Sequence, residues 1–207
     1  LVDKALRGTR FPATGGYVPP GMPGHSAGIA LPYDPDGARW LLSEAGYPGG
    51  RGFPVVEFLT DHKRRPHCEY LEAQWRENLG VEISEQILPW VPFYDRLFSR
   101  EPLQIFCVGA PVVYPDPDVF MSAPVFQRLT GWQNRTYDWL VEGARRVTEP
   151  GRRIRMYQEA DRIVVDEAPI MPLAYGFCHL LVKPWVRRWP MSPTRFWFWK
   201  DVIVDPH

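Results

Sequence analysis

Two carboxylates in a proline-rich segment are the residues of this chain that look best suited to chemistry. The segment reads Tyr114-Pro115-Asp116-Pro117-Asp118 and follows an apolar run, 103–108, with the composition of a strand. Each proline fixes its own φ at about −65° and disfavours helix for the residue before it, which predicts a stiff loop. A buried strand that ends in such a loop is typical of the ligand-facing edge of an α/β protein. A plain connection between a core strand and a helix fits the same residues, so both interpretations stay open.

The carboxylates suit a binding or structural role better than a catalytic one. An acid–base pair would need one raised pKa and a defined separation. Asp118 stands at a predicted helix start and is best explained as an N-cap, whereas Asp116 could contact a ligand or support the loop. The chain has no Gly-x-Ser-x-Gly elbow, no HExxH and no P-loop. We therefore predict that the protein is not an enzyme.

The residue pattern does not support a metal site, a cofactor site or nucleic-acid binding. His62, His67 and Cys68 lie close in sequence, but a structural zinc site takes about four ligands and nothing completes this set. The three cysteines are far apart and show no CxxC spacing. Lys+Arg and Asp+Glu balance at 24 each, which leaves no basic stripe for nucleic acid. No apolar run reaches the roughly 18 residues that a membrane span requires.

Strands that alternate with helices must position the loop. A hydrophobic fraction of 45% and an aromatic fraction of 14% fit a globular core. The pattern predicts strands at 53–60, 81–88, 103–108 and 170–177. It predicts helices from Asp34 or Asp36 to about Ala45 and over 66–78, 92–98, 137–146 and 152–167. The alternation implies an α/β fold, a mostly parallel or mixed sheet flanked by helices.

Five segments of this chain match the motifs of one family in the same order. They are 33–47 (YDPDGARWLLSEAGY), 109–117 (GAPVVYPDP), 134–140 (NRTYDWL), 153–173 and 181–186 (LVKPWV). Together they resemble the extracellular solute-binding proteins of family 5, the peptide/nickel class that serves ABC importers. No single motif is decisive, but the five extend over nearly the whole chain. Arg135 stands where the third motif usually has proline.

The resemblance implies half of a two-lobed receptor. Members of the family enclose a ligand between two lobes of the type II periplasmic-binding-protein fold, and the matching segments are those of the C-terminal lobe. Residues 1–182 are then the ligand-binding lobe, and the aromatic-rich tail, 183–207, packs toward the N-terminal lobe. Aromatic stacking of the tail on a sugar or base is the alternative. The implied partners are a small-molecule or peptide ligand, the N-terminal lobe and an ABC permease. The implied location is periplasmic or extracellular, either anchored to the membrane or soluble.

The resemblance also places the candidate ligand loop and shows how it departs from the family. The loop residues are Cys107, Gly109, Ala110, Val113, Tyr114 and Asp116. In peptide-binding members an acidic residue just before the tyrosine pairs with the α-ammonium of the ligand, and this chain has Val113 there. Ala110 replaces the loop tryptophan, and Cys107 replaces an arginine found in some members. The resemblance therefore favours ligand capture for import; a sensor or interaction lobe fused to a regulatory domain is the alternative.

Val113 predicts that free dipeptides do not bind tightly at this cleft. An apolar side chain cannot stabilise an ammonium, and burying that charge without a partner costs several kcal/mol. The ligand would be a less polar small molecule, a modified peptide, or a peptide whose amine is met by the other lobe. A calorimetric titration with free dipeptides tests this prediction, and tight binding would contradict it.

Overall fold

The computed structural model describes residues 1–99, 101–109, 112–122, 124–177, 180–189 and 199–206. Its α-helices are α1 (Pro35–Glu44), α2 (Arg65–Leu79), α3 (Trp90–Leu97), α4 (Asp118–Met121), α5 (Pro124–Thr130), α6 (Arg135–Arg146) and α7 (Pro150–Glu167). Its strands are β1 (Phe11–Pro12), β2 (Val56–Asp61), β3 (Ile83–Leu88), β4 (Ile105–Phe106), β5 (Ala174–Tyr175), β6 (Val186–Arg188) and β7 (Ile203–Val204). Short 3-10 helices cover Pro48–Gly50, His62–Arg64 and Trp199–Asp201.

The chain divides into two compact units. Unit 1 comprises Leu1–Arg10, Leu31–Gly109 and Val125–Trp132. Unit 2 comprises Phe11–Ala30, Ala110–Pro124 and Gln133–His207. Each unit therefore draws on several separate stretches of the sequence.

Unit 1 is built on a three-stranded parallel sheet. The strand order is β3-β2-β4, and β2 pairs parallel with both neighbours, with Phe58 opposite Ile105 and Leu59 opposite Phe106. Because successive side chains of a strand point to opposite faces, Phe58 and Leu59 feed separate apolar clusters. Phe58 packs in one with Cys68 and Ile83. Leu59 packs in the other with Phe93 and Leu97. The predicted parallel α/β arrangement is confirmed here.

Local signals set the ends of the helices in unit 1. The Asp34 carboxylate accepts a hydrogen bond of 2.9 Å from the Gly37 N–H, so Asp34 caps α1 as the sequence allows. Pro66 lies in the first turn of α2, and Gly80 ends that helix in the left-handed region at φ 68°. No residue of α1 is buried, and its apolar residue Leu41 is exposed.

Unit 2 is built on the packing of α6 against α7. The buried residues of α6 are Tyr137, Leu140, Val141 and Ala144, and those of α7 are Tyr157, Ala160, Asp161, Val164 and Val165. β5 pairs antiparallel with β1, which lies in a stretch for which the sequence pattern predicts no strand. The predicted strand 170–177 is thus reduced to Ala174–Tyr175.

The aromatic-rich tail contains a two-stranded antiparallel sheet. β6 and β7 pair antiparallel, and the Asp205 N–H donates to the Trp185 carbonyl at 2.8 Å. The rings of Trp189 and Trp199 meet edge to face with centroids 5.2 Å apart. The remaining aromatic residues of the predicted cluster, Phe196, Trp197 and Phe198, lie outside the described residues.

One carboxylate of α7 lies in the interior of unit 2. Asp161 is fully buried and accepts a hydrogen bond of 2.7 Å from the Tyr17 N–H. A Cβ at Gly16 would collide with this carboxylate, so the loop needs glycine to approach it. Burial raises the pKa of Asp161, and the Tyr17 N–H opposes that shift only in part. The carboxylate therefore anchors to α7 the loop that follows β1. The free-energy cost of burying Asp161 grows when the carboxyl group ionises.

Asp161→Asn should make the stability of the protein less sensitive to pH. Because the pKa of Asp161 is raised in the folded state, wild-type stability falls as pH rises from the ordinary aspartate range through the folded pKa. The asparagine carbonyl can still accept from the Tyr17 N–H and cannot ionise. Urea unfolding at about pH 4 and about pH 7 should show the variant gaining stability relative to wild type at the higher pH. Asp166→Asn, at an exposed position of the same helix, is the control and should show no such trend. A constant difference between Asp161→Asn and wild type at both pH values would contradict the prediction.

Candidate functional site

The carboxyl edge of the sheet in unit 1 gathers side chains from three strand ends. Asp61 is the last residue of β2, Trp90 follows β3 by two residues, and Cys107 directly follows β4. Because the three strands are parallel, their carboxyl ends meet at one edge, where α/β proteins commonly bind ligands. This edge is the candidate site of unit 1.

Arg64 is the cation of this edge. Its Nη1 atom forms an ion pair with Oδ2 of Asp61, whose side chain is 2% exposed. Oδ1 of Asp61 accepts from the Lys63 N–H at 2.7 Å. The Arg64 guanidinium also lies 6.0 Å from the centroid of the Trp90 ring. A Cβ on Gly109 would come within 2.5 Å of Arg64 Nη2, so the absence of a side chain there lets the guanidinium occupy its position.

Trp90 provides an accessible aromatic surface beside that cation. The residue is 51% exposed, and its ring lies 4.4 Å from the Tyr94 ring and 6.5 Å from the Phe93 ring, centroid to centroid. Phe93 is buried and fixes this group of rings to the core. An indole that is half exposed and packed against other rings offers surface to an apolar ligand.

The two cysteines described in unit 1 are packing residues. The Cys107 N–H donates to the Leu59 carbonyl at 3.0 Å, which continues the ladder between β2 and β4. Its side chain packs against the cluster that contains Phe58 and Cys68. Burial raises the pKa of Cys107 to about 11 and also raises that of Cys68, so both are thiols at neutral pH.

A separate candidate is the proline-rich loop of unit 2. Asp116 forms a bidentate ion pair with Arg153 of α7, with N–O distances of 2.6 and 2.8 Å. Its Oδ1 atom also accepts from the Asp118 N–H at 2.9 Å. The hydrogen bonds from Arg153 lower the pKa of Asp116, although partial burial opposes them. The Asp116 carboxylate thus ties the loop to α7.

Asp118 is the centre of a hydrogen-bond network. Oδ1 accepts from Arg145 Nε and from the Tyr157 hydroxyl, each at 2.8 Å. Oδ2 accepts from the Ser122 hydroxyl at 2.8 Å and from the Tyr114 hydroxyl at 3.1 Å. Burial raises its pKa, but the hydrogen bonds from Arg145, Ser122 and Tyr157 together outweigh burial and lower the pKa to about 2. The carboxylate is therefore ionised and fully engaged within the protein.

The predicted N-cap role of Asp118 is wrong. Asp118 is the first residue of α4, and the side chain that accepts its N–H belongs to Asp116. The capping rule uses only local spacing, whereas the partners of Asp118 on α6 and α7 lie 27 and 39 residues away.

The predicted site residues fall in both units. Cys107 and Gly109 belong to unit 1, and Val113, Tyr114 and Asp116 belong to unit 2. Ala110 lies outside the described residues. Val113 is 49% exposed and Tyr114 is 43% exposed, so both offer surface to a ligand. Their role in ligand binding stays a prediction.

Sequence reasoning missed Arg64 and Trp90. Arg64 follows the end of β2 by three residues, and Trp90 follows the end of β3 by two. Both strands were predicted, so the rule that ligands bind at carboxyl ends of parallel strands could have selected these residues. Among the described residues no cluster of His, Cys, Asp and Glu is arranged to hold a metal ion. Within the same residues, no helix combines the length and apolarity needed to cross a membrane.

Comparison with known sequences identifies relatives of one kind. The sequence model of bacterial extracellular solute-binding proteins, family 5 Middle, matches residues 1–130. The probable deoxycholate-binding periplasmic protein YgiS of Escherichia coli K12 is 24% identical over 100% of this chain and 40% of its own length. Heme-binding protein A of Haemophilus influenzae is 29% identical over 84% of this chain and 33% of its own length. The chain thus spans two fifths or less of these relatives.

Comparison with solved structures finds proteins with the same fold. The dipeptide-binding protein of Pseudoalteromonas sp. SM9913, solved in complex with Met-Leu, superposes with a TM-score of 0.80 at 21% identity. The superposition covers 99% of this chain and 42% of that protein. The predicted α/β fold of a type II periplasmic-binding-protein lobe is confirmed.

Asp118→Asn should destabilise the protein by about 2 kcal/mol at neutral pH. The Asp118 side chain is only 17% exposed, and its pKa of about 2 lies below the ordinary value of 3.8. A carboxylate with a lowered folded pKa stabilises the fold above its unfolded pKa, and the contribution is lost as pH falls from about 4 through 2. Urea unfolding at several pH values should show the difference from wild type shrinking over that range.

Glu142→Gln is the matched control for this substitution. Glu142 pairs with Arg146 on the same helix as Arg145, but both side chains of that pair are largely exposed. An exposed pair contributes little to stability, so the control should unfold like wild type at every pH. Equal stability of Asp118→Asn and the control at neutral pH would contradict a structural role for the Asp118 network.

Proposed function

Since this chain belongs to family 5 of the bacterial extracellular solute-binding proteins, we propose that it captures a small solute for an ABC importer. It contributes the C-terminal, ligand-binding part of a two-lobed receptor. Closure of the two lobes around the ligand is the expected mechanism. The partners are then the N-terminal lobe and a permease in the membrane, and the location is periplasmic or extracellular.

The observation that carries this proposal is the carboxyl edge of unit 1. Three parallel strands end there, and the edge presents a fixed cation, Arg64, beside an accessible indole, Trp90. Ligand sites combine apolar surface with a few polar groups in fixed positions, and this edge has both. Asp116 and Asp118 are the two carboxylates that the sequence offers for acid–base catalysis. Both are paired with arginines of their own unit, which favours ligand binding over acid–base catalysis as the function.

Relatives of this chain differ in the ligands that their names state. One is named for deoxycholate, one for heme, and a protein with the same fold was solved with a dipeptide. Membership of the family therefore allows either a small molecule or a peptide as the ligand of this chain. Val113, in place of an acidic partner for an ammonium, favours a ligand without a free amino terminus.

In the proposed receptor, the aromatic-rich tail packs on the N-terminal lobe. Three apolar residues of the tail are exposed to solvent: Trp199, Ile203 and Val204. Exposed apolar side chains grouped on one small element are characteristic of a surface that another part of a protein covers.

Native mass spectrometry of the protein as its source organism makes it tests the proposal. We expect a mass about two and a half times the 24.0 kDa of this chain, because the chain spans 40% of a relative, together with a small co-purifying adduct. Trp90→Ala should reduce the adduct. Trp40→Ala, at another exposed tryptophan of unit 1, should leave it unchanged. A mass near 24.0 kDa without any adduct would overturn the transport role.

A further inference from the structure

We propose that the carboxyl edge of unit 1 selects an organic anion with an apolar body, with Arg64 binding the anionic group and Trp90 the body. The inference rests on the proposed function, because it names the ligand class of the same site. It is carried by the charges, the contacts and the exposed surface of this edge.

Arg64 keeps hydrogen-bond donors for a ligand although it is paired. The bond to Asp61 uses Nη1, while Nη2 lies beside Gly109. Among the described residues, Asp61 is the only hydrogen-bond partner of the guanidinium. A guanidinium carries five N–H donors in a planar fork, so one carboxylate does not exhaust it. The side chain is 22% exposed, which leaves part of the fork accessible.

The pairing with Asp61 fixes Arg64 without cancelling its charge at the surface. The Asp61 side chain is buried and its two oxygens accept from Arg64 and from the Lys63 backbone N–H, so no carboxylate oxygen of this pair is offered to a ligand. Lys63 adds a second, exposed cation next to Arg64. A ligand that approaches this edge therefore meets positive charge first, which favours an anionic group and repels an ammonium.

Trp90 supplies the apolar half of the proposed site. Its ring is held against Phe93 and Tyr94, so its accessible face is fixed at little further entropic cost on binding. The guanidinium lies 6.0 Å from the centroid of that ring, close enough for one ligand to contact both groups. A carboxylate attached directly or through a short chain to a ring system fits this pair of contacts.

Three probes that share one body and differ in the polar group test the proposal. They are 1-pyrenebutyrate, 1-pyrenebutanol and 1-pyrenebutylamine, titrated into the protein as its source cell makes it, after removal of co-purified ligand. Pyrene emission reports binding. We expect the carboxylate to bind at least about tenfold more tightly than the alcohol, since hydrogen bonds to charged groups are strong, and the amine to bind most weakly.

Substitutions assign the preference to Arg64. Arg64→Gln should lower the affinity of the carboxylate to that of the alcohol and leave the alcohol unchanged. Because this variant leaves the buried Asp61 carboxylate without its cation, the double variant Asp61→Asn, Arg64→Gln provides a second test and should show the same loss. Trp90→Ala should weaken all three probes together. Arg65→Gln, at an exposed neighbour that pairs with Glu69, is the matched control and should keep the wild-type preference.

The outcomes separate this inference from the proposed function. Equal binding of carboxylate and alcohol, or tighter binding of the amine, overturns the anion preference while solute capture stands. Absence of binding by every probe also overturns it, and the native adduct then shows whether the protein captures a different solute. Absence of both probe binding and a native adduct overturns the two proposals together.

Discussion

A carboxylate that leaves water must be met by a cation or by hydrogen-bond donors, and the structure of this chain depends on that requirement. Four aspartates satisfy this requirement, at positions 61, 116, 118 and 161. Arginine side chains meet the first three, and a backbone N–H group meets the fourth. Removing one partner of such a group leaves an unpaired charge, which costs far more than the pair itself contributes. These contacts therefore fix where the loops lie on the helices of each unit.

The same requirement changes which residues are available for function. Asp116 and Asp118 looked chemically active in the sequence because they stand in a stiff, proline-rich loop. In the structure their charges are matched by Arg153 and Arg145, so they hold the loop in place. The group that remains open to a ligand in unit 1 has the opposite sign, since Asp61 is buried and Arg64 is not. At the carboxyl edge of unit 1, the burial of Asp61 thus leaves a partly exposed cation beside an exposed indole.

The sequence predicted the features that local physics determines. Alternating strands and helices, the cap at Asp34 and the helix stop at Gly80 all follow from residue type and short spacing. The resemblance to the family motifs predicted the type II periplasmic-binding-protein fold of the lobe. The network of Asp118 could not be predicted, because its partners are brought to it by tertiary packing across tens of residues. β1 was missed for the same reason: only its antiparallel partner β5 makes Phe11–Pro12 a strand.

Selectivity in this chain is best understood as a difference between two ligand classes. A binding protein can discriminate by adding an attraction for one class or by withholding a partner from another. From the family resemblance, Val113 is predicted to withhold the carboxylate that an ammonium would need, and this substitution is visible in the sequence. Arg64 adds an attraction for anions, and only the parallel sheet shows that it shares an edge with Trp90. The two features lie in different units, so each is a prediction with its own test.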